Sequence, residues 1–203
     1  MTRLGSYMTM TVLGLLLMLL GACGGSAPTR FYILNPLAGP GEGVQTAAVQ
    51  PHVTVGVGPV EFPAYLDQRQ IVTRVSENEL RIAGFEEWAG TLKDNFTRVL
   101  VENLYVLLRG DAVEVFPSRV PSDIDYQVEV EVIRLDGSLG GDATLSARWT
   151  LFKKQDREML LTKKSSFHEP TGSPGYEALV AAQSRTVEAL SREIAEAIRI
   201  ISH

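Results

Sequence analysis

Residues 126–135 read YQVEVEVIRL. Tyr126, Val128, Val130 and Val132 fall on one side of an extended chain, and Gln127, Glu129 and Glu131 on the other. A period of two over this length predicts a strand with one buried and one wet face. Working outward, 143–154 (ATLSARWTLFKK) repeats the pattern with Leu145, Ala147, Trp149 and Leu151, and the linking DGSLGG (136–141) has the composition of a hairpin connection. EMLLTKKSSF (158–167) is a less regular strand. AVEVF (112–116) is a short one.

Upstream, HVTVGVGPV (52–60) alternates Val53, Val55 and Val57 with small or polar residues, and Pro59 and Pro63 are expected to end that strand. QIVTRV and ELRIA, joined by Ser76-Glu77-Asn78, read as a hairpin over 70–83, and FYILNP (31–36) as a short first strand. From Phe85 to Leu108 the spacing changes to three and four (Phe85, Trp88, Leu92, Phe96, Val99), which predicts a long amphipathic helix ended by Gly110. A second helix is expected over Tyr176–Ile201, with Leu179, Val187, Leu190, Ile194 and Ile198 on its apolar stripe. The fold class is therefore α/β in the broad α+β sense. We expect two layers, a mixed or mainly antiparallel sheet with both long helices on one face. The polar sheet face, with Thr54, Arg74, Glu129, Glu131, Thr144, Ser146 and Arg148, is expected to be open to solvent or partners.

The N-terminus carries a different signal. Arg3 precedes an apolar run, Met10–Leu20, which is followed by Gly21 and Ala22 and then by the chain's single cysteine, Cys23. Basic start, apolar middle and small residues form the layout of a secretory signal. Eleven apolar residues are too few for a helix to span a bilayer, which takes about 20. Leu20-Gly21-Ala22-Cys23 resembles the bacterial lipobox, in which the cysteine is acylated and heads the mature chain. This divides the chain into a signal at 1–22, a lipidated tether at 23–30, and one domain at 31–203 with a loop at 37–51. Gly24, rather than Asp, after the cysteine leans towards outer-membrane sorting.

Removal of 1–22 takes away Arg3, leaving 18 basic against 24 acidic residues, a formal charge of −6. That balance, with no basic run, gives no footprint for nucleic acid. One cysteine precludes an internal disulfide, so stability rests on the core.

Sites of chemistry are sparse. Gly56-x-Gly58 follows a strand but opens onto Pro59-Val60-Glu61 rather than a helix, so it does not read as a nucleotide site; the glycines are expected to admit another backbone closely. His52, His168 and His203 show no metal-ligand spacing. Asp123 with Asp125 and Glu129 with Glu131 read as solvated carboxylates. Trp88 and Trp149 are expected in the core. No cofactor and no catalytic residue is expected. The segment GPVEFPAYLDQRQIVTR (58–74) combines prolines, aromatics and charges between strands, and reads equally as connector or recognition loop. Glu61, Phe62, Tyr65, Asp67 and Arg69 are its candidate partner-binding residues.

That segment, with LRIAGFEEWAGTLKDNFTRVLVENL, YQVEVEVIRLDG and ARWTL, resembles the ABC-type transport auxiliary lipoproteins, the PqiC or YmbA-like family. The resemblance runs from FYIL to the last helix. It implies a non-catalytic, periplasm-facing accessory, anchored through Cys23, of a transporter that uses Mce-domain proteins with an ABC permease and ATPase to move lipids between membranes. It also implies a homo-oligomeric ring. An anchored activator of a cell-wall enzyme, or a periplasmic hydrolase, is the alternative.

Overall fold

The computed structural model describes residues 27–39, 53–109, 111–117 and 123–202. Cys23, the signal segment, most of the 37–51 loop, His52 and His203 lie outside them. The described residues form two sheets and two long helices.

The larger sheet has five strands: β2 (Thr54–Glu61), β5 (Ala112–Val115), β6 (Tyr126–Gly137), β7 (Asp142–Lys153) and β8 (Glu158–Pro170). Their order is β5-β2-β6-β7-β8. β2 runs parallel to β5 and to β6, whereas β6-β7-β8 is an antiparallel meander, so the sheet is mixed. The smaller sheet, ordered β1-β4-β3, contains β1 (Arg30–Tyr32), β3 (Gln70–Arg74) and β4 (Leu80–Trp88). Helix α1 (Leu92–Leu107) packs on β2 and β5, α2 (Tyr176–Ser202) packs on β6, β7 and β8, and the helices pack on each other. Among the described residues no helix is long and apolar enough to cross a membrane.

The alternation expected in β6 and β7 is present: Val128, Val130, Val132, Leu145, Ala147, Trp149 and Leu151 are all buried. α2 buries Leu179, Val187, Leu190, Ile194 and Ile198 against them. The opposite sheet face is polar and paired across strands, Ser146 with Ser166 at 2.8 Å and Thr150 with Thr162 at 3.1 Å. Glu131 pairs with Arg148, and Glu129 with Arg157 at 3.1 Å. Thr144 and Arg74 depart from expectation. Thr144 is buried beneath its bond to His168 (3.1 Å), and Arg74 is committed to a buried carboxylate described below.

Three boundaries also differ from the sequence reading. The helical spacing from Phe85 does not begin a helix: Phe85–Trp88 completes β4, and α1 starts only after Ala89-Gly90-Thr91. Thr91 is the N-cap, its hydroxyl accepting the Asp94 N–H at 3.1 Å. β2 does not stop at Pro59 but runs to Glu61, with its register to β6 shifting between Val57 and Val60 where proline offers no N–H. FYILNP is strand only to Tyr32. Beyond it, side chains of α1 hold the chain: Asn95 Oδ1 accepts from Leu34 N (2.6 Å), Asn103 Oδ1 accepts from Leu37 N (2.7 Å), and Arg98 donates to Leu34 O (3.1 Å).

Trp88 and Trp149 lie in the core as expected, and Trp149 Nε1 donates to Glu193 at 2.9 Å. Gly58, at φ +134°, packs against Phe116, whose carbonyl oxygen would stand 2.2 Å from an added Cβ. Close backbone approach therefore accounts for that glycine.

Phe96 joins the two layers: it is fully buried on α1 and takes the ring of Phe62 edge-on, centroids 5.3 Å apart at 82°. Phe96→Ala should cost about 3–5 kcal/mol, read as a lowered urea midpoint with far-UV circular dichroism retained at zero denaturant.

Candidate functional site

The segment after β2 starts at Glu61 and turns through a short 3₁₀ helix, Ala64–Leu66, before β3. Its fold follows from composition: Pro63 fixes the entry, and Leu66 N and Asp67 N close turns onto Pro63 O and Ala64 O. Leu66 is buried and anchors the turn.

The five candidate residues separate into three groups. Phe62, Asp67 and Arg69 line one cleft of about 620 Å³ with Leu66, Leu92 and Lys93, between this turn and the start of α1. Glu61 is exposed at the end of β2, outside that lining. Tyr65 turns the other way, its hydroxyl donating to Asp136 Oδ2 at 3.3 Å. Arg69 reaches across to Glu87 on β4 (3.1 Å), while its carbonyl accepts Trp88 N–H at 2.8 Å. The cleft thus presents one apolar wall and three charged side chains of mixed sign. It can seat a mixed polar and apolar segment of a partner; nothing in it is arranged as nucleophile and base. A second cleft, of about 610 Å³, lies at the far end of α1 beside Arg109, Arg192 and Arg199. There Arg199 donates to Leu107 O at 2.9 Å, satisfying a terminal carbonyl of α1.

The most concentrated polar cluster was not visible in the sequence. Asp136 has a fully buried side chain on β6 and is held by two arginines. Arg74 of β3 is bidentate, Nε to Oδ1 at 2.9 Å and Nη2 to Oδ2 at 2.8 Å. Arg134 Nε donates to Oδ1 at 2.7 Å. Burial alone would push the Asp136 carboxyl up, but the hydrogen bonds from Arg74 and Arg134, with their charges, hold it below the usual carboxylate range. Burial, with Asp136 alongside, raises the Tyr65 phenol. Asp136 belongs to DGSLGG, read above as a connection; β6 in fact continues through it to Gly137. By parity Asp136 falls in the phase of Val128, Val130 and Val132, and only the register shift between Val132 and Arg134 turns it to the opposite face. The arginine that covers it lies 62 residues upstream.

Glu193 of α2 is a second such carboxylate. Burial pushes it up, and hydrogen bonds from Lys163, Ser165 and Trp149 outweigh that and lower it. Both carboxylates are thereby committed to packing. His168 is held by Thr144, and among the described residues no group of three His, Cys, Asp or Glu side chains is placed to hold a metal ion.

With this geometry in place, the comparison with known proteins becomes specific. The family model described as the ABC-type transport auxiliary lipoprotein component matches residues 34–195. The chain belongs to this family. It is therefore an auxiliary lipoprotein of ABC-type transport, associated with the cell envelope. No curated protein matches it. Among solved structures, an uncharacterized protein shares 21% identity at a TM-score of 0.70, covering 85% of this chain and 99% of its own. Protein XCC0632 from Xanthomonas campestris shares 18% identity at a TM-score of 0.65, covering 84% and 95%. These likenesses show that the auxiliary lipoprotein has their fold.

Because Asp136 is charged and paired in the folded state, its contribution to stability is present above the ordinary carboxylate pKa and is lost as the pH falls through its lowered value. The denaturant midpoint should therefore drop as the pH is taken from about 6 to about 3. Asp136→Asn should lose about 3 kcal/mol at pH 7, leaving two guanidiniums facing an amide, and should show a shallower acid slope. Glu193 supplies the slope that remains.

Proposed function

We propose that the chain is a non-catalytic, lipid-anchored subunit of an Mce/ABC-type envelope lipid-transport system. It docks or scaffolds the transport complex at the periplasmic face of the outer membrane. Membership of the transport auxiliary family carries this reading. The structure is consistent with a binding role. Its buried carboxylates are spent on holding the sheets and helices together, while charged residues of the 61–69 segment stand exposed beside a cleft. The lipobox-like Leu20-Gly21-Ala22-Cys23 supports an acyl anchor, and Gly24 supports sorting to the outer membrane.

Assembly into a ring is part of the same proposal. The five-stranded sheet ends in two unlike edges, the 13-residue β8 and the 4-residue β5. A head-to-tail contact between unlike edges repeats from copy to copy and closes when the rotation allows. Glu61, Asp67 and Arg69 are the residues we assign to contact with the Mce-domain partner.

Cys23→Ser should move the protein from the membrane fraction to the soluble periplasm, and an unchanged membrane fraction would remove the anchor. Crosslinking of intact envelopes should capture Mce-domain and permease subunits. Combined Glu61→Lys and Asp67→Lys should reduce that capture severalfold without altering thermal stability. Capture of cell-wall synthases instead would replace the transport reading.

A further inference from the structure

The small sheet carries an apolar face that neither the helices nor the large sheet covers. Phe31 is 59% exposed, Ile33 46% and Phe85 43%. Phe31 and Ile33 alternate along the chain and so project to one side. On β4, Phe31 is in register with Glu87, and Phe85 stands two residues before Glu87, which makes the two rings diagonal neighbours. The next register pair, Tyr32 with Trp88, points the other way: Trp88 is buried and Tyr32 lies half-buried with its ring 6.2 Å from that of Tyr176.

The one carboxylate on this face is paired. Glu87, the carboxylate among the apolar side chains, is neutralised by Arg69 at 3.1 Å. Arg30, in register with Glu86, and Arg81, whose charge also acts on Tyr176, are exposed on the other side of the sheet. Glu86 alternates to the other side, where its charge acts on Tyr176. Glu77 and Glu79 lie in the turn between β3 and β4.

We propose that the Phe31, Ile33 and Phe85 face is a bilayer-contact surface, seated in the interfacial region of the membrane that holds the anchor. This rests on the lipid-anchor reading of Cys23. Eight residue steps separate Cys23 from Phe31, a reach of at most about 28 Å, so an acylated Cys23 keeps the face beside the headgroups. Exposed aromatic rings beside a chain tethered to lipid suit that boundary, where rings enter the acyl edge. A tethered contact needs little affinity of its own, because the anchor supplies a high local concentration. Its effect is to fix the orientation of the domain on the membrane, so that the rest of the molecule faces the periplasm in one way.

The test uses the chain from residue 24 onward, which contains every described residue of the fold and lacks the anchor, so its outcome is independent of whether Cys23 is acylated. Binding to vesicles of phosphatidylethanolamine and phosphatidylglycerol is measured by flotation. The expected result is weak binding that falls at least about tenfold in the F31S/F85S variant and is unchanged in Y105S, which alters an exposed ring on α1. Thermal melts of both variants should match the parent. Failure of the parent to bind vesicles, or equal binding by F31S/F85S, would overturn the proposal. So would conversion by F31S/F85S of a sedimenting oligomer into a monomer, which would assign the face to a second copy.

Discussion

A carboxylate taken wholly out of water must be met by charge and hydrogen bonds or take up a proton, and Asp136 is met from two sides. Arg134 comes from its own strand, whereas Arg74 comes from the small sheet and fixes β3 against β6. Tyr65 adds a hydroxyl from the turn before β3. One side chain thus fixes the angle at which the small sheet meets the large one. The cleft beside α1 and the exposed face with Phe31 both take their positions from that joint. A salt bridge so buried is a weak source of net stability, since its desolvation offsets its attraction. Its role here is to select one arrangement of two sheets whose apolar residues, Ile71, Val72, Ala83 and Trp88 on the small one, join a common core.

The helices are registered by the same kind of device. Asn103 is fully buried between them; its amide donates to Ser191 Oγ at 3.1 Å while its oxygen receives the Leu37 N–H. Asn95 and Arg98 treat Leu34 in the same way. An irregular segment therefore lies on α1 with its backbone groups satisfied by side chains where no strand partner exists.

How much of this the sequence revealed depended on distance along the chain. β6, β7 and α2 were legible because each buries one face against a broad neighbour, which prints an uninterrupted period of two or 3.6. Trp88 and Leu92 mimicked helical spacing, because the end of β4 and the first turn of α1 both face the core, and Phe85, which is exposed, happens to fall on the same spacing. Gly90 with Thr91 three residues before Asp94 was the local sign of the true start. The parallel pairing of β2 with β5 and β6 left no local trace, since partners 58 and 71 residues apart are chosen by packing. At the site, the 61–69 segment was found by composition, but its division between cleft and buried cluster was not. Nothing near Arg74 or Asp136 announces the other.

The segment from Arg30 to Leu37 has another consequence, concerning time rather than position. Its partners Glu86–Trp88, Asn95 and Asn103 lie 56–66 residues downstream, and Ser184, which accepts from Asn35 N, lies 149 downstream. In a secreted chain that crosses a membrane from its N-terminus, this piece emerges first yet has nothing to dock on until α1 has followed it. Closing so long a loop is slow compared with forming α1 itself. The piece nearest the N-terminus of the described fold is thus among the last to acquire its native contacts.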